Sequence, residues 1–251
     1  MTATTRVRRA EVVVPAHDEE GLVGRCVEGL AAAVGHARAH GLDTRVTLVL
    51  DACRDATGTV AADAAARAGL DLTVVELDAC AVGRAREAGV AAVRARLARE
   101  AAVADEEVWL LHTDADSVVG HDWIVEHVRL ADAGADVVVG TVRPDPADLG
   151  PERTRAWAAT RVPGRPNGHV HGANLGLRLS AHVAAGGFDP VVAHEDVGLV
   201  ARLRALPVRI VASDVVDVLT SGRTEGRAPH GYAQYLRERF TQAGSAASAP
   251  C

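Results

Sequence analysis

Val108-Trp-Leu-Leu-His-Thr-Asp-Ala-Asp116 is an apolar run that ends in two acids. Val108–His112 suits a strand buried on both faces, because such strands lose the polar–apolar alternation of half-exposed ones. The same unit repeats outward from this segment. On the N-terminal side, strands are predicted at Glu11–Val14, Arg45–Leu50 and Leu72–Glu76, each followed by a helical stretch: Glu19–His40, Thr57–Ala68 and Val82–Ala102. On the C-terminal side, a helix at His121–Ala133 leads to a fifth strand at Asp136–Gly140. This alternation predicts an α/β fold, with a Rossmann-like, mostly parallel central sheet flanked by helices. Ligands of such sheets bind beyond the carboxyl ends of the strands. Polar residues stand at those places: Pro15, His17 and Asp18 after the first strand, Asp51 after the second, Asp114 and Asp116 after the fourth.

The second half is less regular. Val142–His171 holds five prolines and reads mostly as loop, with a short helix near Glu152–Thr160. Ala173–Leu179 is a candidate strand. Ser180 suits an N-cap for a short helix that ends at Gly186-Gly187. Asp196–Ala205 is amphipathic, Val208–Ala212 and Val215–Leu219 are two short β runs, and Tyr232–Gln242 is a final helix. The expected organisation is one domain over residues 1–251. About 10–141 would form a regular strand–helix half, about 142–242 a less regular second half, and 243–251 a flexible tail.

Composition removes several function classes. The net charge of −6 and the lack of a basic stripe with interleaved aromatics argue against nucleic acid as a partner. Every basic Lys/Arg position is Arg, so chemistry that needs a lysine nucleophile or a P-loop lysine is excluded. No G-x-G-x-x-G follows the first strand, which argues against a dinucleotide oxidoreductase. Cys26, Cys53, Cys80 and Cys251 form no close pair, so they read as small buried hydrophobes rather than zinc ligands. No apolar run reaches the ~18 residues of a membrane span. Cytoplasmic location is therefore expected, and peripheral contact with a membrane surface is compatible with the sequence.

Five groups of residues can carry chemistry. Asp114 and Asp116 suit a divalent cation, Mn2+ or Mg2+, because paired carboxylates repel and such ions take oxygen ligands while leaving room for phosphates. A solvated turn that caps the next helix would use the same two acids. Glu195 and Asp196 stand at a helix start, where acids are favoured by the dipole; a carboxylate there can also serve as a general base. Asp51 suits either a nucleobase contact or a turn. Arg84 and Arg86 open a helix, and a guanidinium is shaped for a diphosphate, although a solvated helix face needs the same residue type. His169 and His171 flank the Pro-rich segment as possible substrate contacts, and His230 is a candidate third metal ligand.

In order along the chain, these pieces resemble the family 2 glycosyltransferases of the GT-A fold. The carriers are Val12-Val-Val-Pro-Ala-His-Asp-Glu-Glu20, Leu48-Val-Leu-Asp51 with Asp55-Ala-Thr57, Gly83-Arg-Ala-Arg86-Glu-Ala-Gly89, Asp114-Ala-Asp116, and Gly172-Ala-Asn-Leu-Gly-Leu-Arg178 followed by Gly186-Gly-Phe-Asp189 and Glu195-Asp196. The resemblance spans about residues 10–240. It implies a non-processive hexosyltransferase that uses a nucleotide-diphosphate sugar, with a UDP-sugar favoured, and an unknown hydroxyl acceptor. Asp51 would contact the base, and Pro15, His17 and Glu19 would line the nucleoside pocket. Arg86 would sit near the nucleotide, Asp116 with Asp114 would carry the metal, and Asn174 would belong to the acceptor-side block. Asp196 would be the base of an inverting displacement, with Glu195 beside it.

The chain departs from the family pattern at several points. His17-Asp18 replaces a frequent Tyr-Asn, Ala52 replaces a Gly, Glu87 replaces an Asn, and the Q-x-x-R-W motif of processive members is missing. Arg223 and Arg227 lie in that general region and are candidates to close over the diphosphate. Two rival readings are a sugar nucleotidyltransferase, argued against by the absence of its Gly-rich loop and lysine, and a non-catalytic member that only binds nucleotide sugar or a partner.

Overall fold

A computed structural model describes residues 5–100, 103–226 and 231–240. Its centre is one eight-stranded sheet. The strands are β1 (Arg9–Ala16), β2 (Asp43–Asp51), β3 (Leu72–Leu77), β4 (Val108–His112), β5 (Ser117–Val118), β6 (Val137–Pro144), β7 (Leu175–Arg178) and β8 (Ile210–Thr220), in the order β3-β2-β1-β4-β7-β6-β8-β5. The pairs β1–β2, β2–β3, β1–β4 and β6–β8 are parallel. The exceptions are β7, antiparallel to β4 and β6, and β5, antiparallel to β8. The expected mostly parallel sheet is what forms, and it runs without a break from the first half of the chain into the second.

Helices α1 (Val23–Ala39), α2 (Thr57–Ala68) and α4 (Trp123–Asp132) contribute to the core on one face of the sheet. Helices α3 (Val82–Glu100), α7 (Leu179–Ala184) and α8 (Glu195–Leu203) contribute to the core on the other. Strand side chains alternate between faces, so Val12 and Val14 join the first core and Val13 the second. Two short helices, α5 (Pro146–Leu149) and α6 (Pro151–Ala158), fill part of the Pro-rich segment, and α9 (Tyr232–Phe240) closes the described chain. Among the described residues no helix is long and apolar enough to cross a membrane.

Several boundaries differ from expectation, for local reasons. Helix α1 starts at Val23 rather than Glu19, because the Glu19 carbonyl accepts from Leu22 and Val23 in a turn. Glu19 is thereby left in a loop at the end of β1. Ser180 lies inside α7, which begins directly after β7 with Arg178 at its N-cap position. The two short β runs of the second half are one strand, β8. Its register against β6 shifts between Gly140 and Val142, so the residues around Asp214 bulge out of the ladder. Pro15 sits within β1 at a point where pairing with β4 has already ended at Val13, a position a residue without an N–H tolerates.

Glu11, in the centre of β1, is fully buried between Arg96 and Arg9. Burial pushes its carboxyl up to about 7 against the pull of Arg96. A carboxyl held above its unfolded value binds more protons in the folded state. Its contribution to stability is therefore complete below about pH 4.5 and is lost as pH rises through about 7. Glu11→Gln is expected to flatten the decline in melting temperature between pH 5 and pH 7.5. A decline identical to that of the wild type would remove Glu11 as its source.

Candidate active site

The carboxyl ends of β1, β2 and β4 open into a cleft of about 980 Å3. Four loops around it carry non-glycine residues in the left-handed backbone region: Asp18 (φ 51°), Ala52 (φ 53°), Cys80 (φ 49°) and His194 (φ 64°). Such conformations cost free energy and persist where surrounding contacts over-determine them. Those contacts are visible. The Asp18 carboxylate accepts from the Arg54 and Asp55 backbone N–H groups, which ties the loop after β1 to the loop after β2. Asp55 in turn accepts from the N–H of Thr57 at the start of α2.

Asp51 lines the cleft, but its carboxylate is largely committed. It accepts from the backbone N–H groups of Ala79 (2.7 Å), Cys80 (2.9 Å) and Ala81 (2.8 Å). Its first function is to pin the loop between β3 and α3 at the cleft edge. The expected base-contacting residue is thus at the cleft, with its carboxylate already accepting three backbone N–H groups. The His17 ring lies 2.6 Å from the Asp51 carbonyl through Nδ1, and Pro15 and His17 both line the cleft. Cys80 is exposed there, contrary to its expected burial, and Cys53 is half-buried; Cys26 alone of the described cysteines is fully buried.

Arg86 is the centre of the site. Its side chain is 1% exposed; Nη2 donates to Asp114 Oδ1 (2.5 Å) and Nε to Glu195 Oε1 (2.9 Å). One guanidinium thus ties the acid pair after β4 to the acid pair that opens α8. Nη1 is buried and has no hydrogen-bond partner among the described residues. A Cβ on Gly172 would stand 2.4 Å from Nη2, so only glycine lets the backbone of residues 172–174 pass this close. Burial raises the carboxyl of Glu195 above its ordinary range against the opposing charge of Arg86. Burial likewise raises Asp196, again opposed by Arg86, and its Oδ1 accepts from the Val197 N–H.

On the other side of Asp114, Asp116 is held by Arg223 (3.0 Å) and accepts from Ser117 Oγ (3.2 Å). Arg223 also donates to both oxygens of Glu19, at 3.0 and 2.7 Å. Burial first, and the charges of Asp114 and Glu19 next, push Asp116 up to about 6, with Arg223 opposing. Four carboxylates (Glu19, Asp114, Asp116 and Glu195) against two guanidiniums (Arg86 and Arg223) leave an excess of negative charge. An all-oxygen donor set of this kind fits a hard divalent cation such as Mg2+ or Mn2+. Asp18, Cys53 and Asp55 also bring ligand atoms within 4.8 Å of one another, at the rim. Those acids already accept the backbone bonds that join the two loops. His230 and Arg227 lie outside the described residues.

Asn174 does not line the cleft. It is fully buried; Oδ1 accepts from Trp123 Nε1 (2.9 Å) and contacts His127 Nε2 (3.1 Å), and Nδ2 donates to the Thr141 and Val216 carbonyls. All four of its positions are used within the core. The expected substrate contact is corrected to a structural one, which Gly140 makes possible by leaving no Cβ in its way.

The profile of glycosyl transferase family 2 matches residues 11–183. The chain belongs to that family. A search of curated proteins returned no match. Solved structures resemble this glycosyltransferase over nearly its whole length. A mannosyltransferase from Pyrobaculum calidifontis, in complex with GDP-Man and Mn2+, is 21% identical with a TM-score of 0.60, covering 99% of this chain and 67% of that one. S. aureus TarS 1-349 in complex with UDP-GlcNAc is 12% identical with a TM-score of 0.62, covering 96% and 68%. M. tuberculosis glucosyl-3-phosphoglycerate synthase, in complex with Mn2+, UDP and phosphoglyceric acid, is 16% identical with a TM-score of 0.51, covering 95% and 76%. At these identities the likeness carries the GT-A fold, in agreement with the α/β sheet described above.

The structure also adds to the cleft residues that the sequence did not single out for a role: Trp157, Arg161, Tyr232, Tyr235 and Arg239. They come from α6, the turn after it, and α9, and Trp157 and Arg239 at the extremes are 82 positions apart (239 − 157), so no motif spacing joins them.

Proposed function

We propose that this chain transfers a sugar from a nucleotide-diphosphate donor to an acceptor hydroxyl, with inversion at the anomeric carbon. The observation that carries this reading is the Arg86 bridge. It holds Asp114 of the D-x-D pair and Glu195, the neighbour of Asp196, on one side chain inside one cleft. The donor diphosphate and the acceptor hydroxyl would then meet between two carboxylate sets of different character.

Asp116 and Asp114 are the residues to hold Mn2+ or Mg2+. Such an ion, when bound, offsets the negative charge that develops on the departing diphosphate. The protein's own residues do the rest. Arg86 keeps Oδ1 of Asp114 in place and leaves Oδ2 as the free oxygen of that carboxylate. Asp196 accepts the proton of the acceptor hydroxyl as that oxygen forms its bond to the anomeric carbon and the bond to the diphosphate oxygen breaks. A base works best with a pKa near the operating pH, and burial moves Asp196 in that direction. Arg223, which bridges Asp116 and Glu19, is a mobile-length side chain able to exchange carboxylates for phosphate oxygens. The nucleoside would meet Pro15, His17 and the Asp51-pinned loop. The expected location remains the cytoplasm, with no nucleic-acid partner.

The test is calorimetric titration with UDP, GDP, ADP, CMP and dTDP, each with Mn2+ and with chelator. Selective binding of one nucleotide that collapses with chelator supports the reading. Asp116→Asn is expected to weaken that metal-dependent binding by about tenfold or more, the scale of one lost charge-assisted contact. Unchanged affinity with Mn2+ would withdraw Asp116 as a ligand. Binding without turnover of any donor would favour a non-catalytic member.

A further inference from the structure

The chain has three tryptophans, two tyrosines and two phenylalanines. Trp109, Trp123, Phe188 and Phe240 are buried. The remaining three, Trp157, Tyr232 and Tyr235, are half-buried, and all of them line the cleft. A protein this poor in aromatics has therefore placed every one that is not fully buried on a single wall, where the three pack against Leu149, Leu236 and Phe240 and keep part of their surface in the cleft. The rings are arranged in order. Tyr232 and Tyr235 stack at 5.9 Å with an interplanar angle of 19°. His169 and His171 stack at 6.1 Å. The two stacks meet through His169–Tyr235 (5.9 Å) and His171–Tyr232 (5.6 Å). Burial lowers the His171 ring to about 4, so it presents a neutral face at neutral pH.

The charges on the cleft are divided. Its acids (Glu19, Asp51, Asp114, Asp116, Glu195 and Asp196) all belong to the donor and base side. Among the described residues the aromatic wall contributes no acid to the lining, and it carries Arg161 and Arg239. Arg161 lies 5.0 Å over the Trp157 ring and pairs with Asp217. Arg239 is exposed and makes no ion pair among the described residues.

We propose that this wall is the acceptor subsite and that it selects an acidic sugar: a pyranose whose apolar face lies on the Tyr235–His169 rings and whose anionic substituent pairs with Arg239. The inference rests on the transferase reading and names its acceptor class. A pyranose face offers axial C–H groups to an aromatic ring, and the rings are preorganised by one another, so little freedom is lost on binding. The anion supplies a charged partner to a guanidinium that makes no ion pair among the described residues. The anionic group is a carboxylate or a phosphate, and the experiment separates the two.

The experiment follows the indole 15N–H signals of the protein during titration with glucose, glucuronic acid and glucose 6-phosphate. Trp109 and Trp123 are buried and act as internal references, and Trp157→Phe assigns the third signal. One or both acidic sugars are expected to shift the Trp157 signal and to bind about tenfold more tightly than glucose, the size of one charge-assisted contact. Arg239→Gln should erase that advantage. Tyr235→Ala should weaken all three sugars by roughly threefold to tenfold, and Tyr235→Phe should restore them. Equal affinity for glucose and both acidic sugars, an unmoved Trp157 signal, or an advantage that survives Arg239→Gln overturns the inference. Nucleotide binding with Mn2+ is titrated on the same samples. If it is present while the sugar preference is absent, the inference alone fails. If it is absent from the wild type, the transferase reading fails as well.

Discussion

Asp196→Asn is expected to reduce transfer by roughly 10²–10⁴-fold, the usual contribution of a positioned general base, while nucleotide affinity with Mn2+ stays within about twofold. The substitution keeps size and hydrogen-bonding shape. The Val197 N–H that Asp196 Oδ1 accepts can be accepted equally by an amide oxygen, so the start of α8 should hold. What is lost is the proton acceptor. The wild-type rate should also fall as pH drops through the raised pKa of Asp196, because a protonated carboxyl cannot take a proton. The variant's residual rate should lack that limb. Glu195→Gln is the informative control. Glu195 is tied to Arg86 and is less available as a base, so its loss should act on stability and on Asp114 more than on the pH profile. Near-normal turnover by Asp196→Asn, or a pH limb that survives the substitution, would remove Asp196 from the role and leave Glu195 as the carboxylate to examine.

How much of this was legible in the sequence depends on the scale of the signal. The parallel half was readable because each strand is a short Val/Leu run bounded by a polar residue, and each helix is a long Ala-rich stretch. Val108–His112 and Thr57–Ala68 have the boundaries the pattern predicts. Strand β5 has two residues and no pattern to read. The bulge in β8 puts Asp214 and Asp217 inside the run, which broke the alternation and suggested two strands. Asp217 is there because it pairs with Arg161 and accepts from Thr141. For the site, acids at strand ends were visible, but the partners that decide what they can do were not. The three backbone donors to Asp51 and the four partners of Asn174 are tertiary facts. An Asn after Gly172-Ala173 looks like a polar contact whether it faces a substrate or a buried indole. The aromatic wall was hidden for a similar reason. Its rings come from separate segments, and the sequence offered only two clues, His169 and His171 as possible substrate contacts and the scarcity of aromatics elsewhere.

Arg86→Met should lower the melting temperature by on the order of 10 °C. Removing one partner of a buried ion pair costs about 3–5 kcal/mol, because the charge left behind has neither water nor a counter-ion, and at this chain length ~1 kcal/mol corresponds to roughly 2–4 °C. Here one substitution strands two carboxylates. Glu195 is nearly inaccessible and loses the one cation it pairs with among the described residues; Asp114 is a third exposed and can recover some hydration. The larger share of the cost therefore belongs to Glu195, and Arg86→Met combined with Glu195→Gln should recover more stability than Arg86→Met combined with Asp114→Asn. Arg86→Lys should not rescue, since a single ammonium cannot reproduce the Nε and Nη2 donors that reach two different elements. The close passage of Gly172 over the guanidinium adds a second consequence. With the flat group gone, the turn at residues 172–174 loses what it packs on, and transfer should fail even where the fold survives at low temperature. A melting temperature within about 2 °C of the wild type would show that Glu195 and Asp114 are neutralised by something other than Arg86. The coupling between donor and base sides argued above would then have no physical carrier.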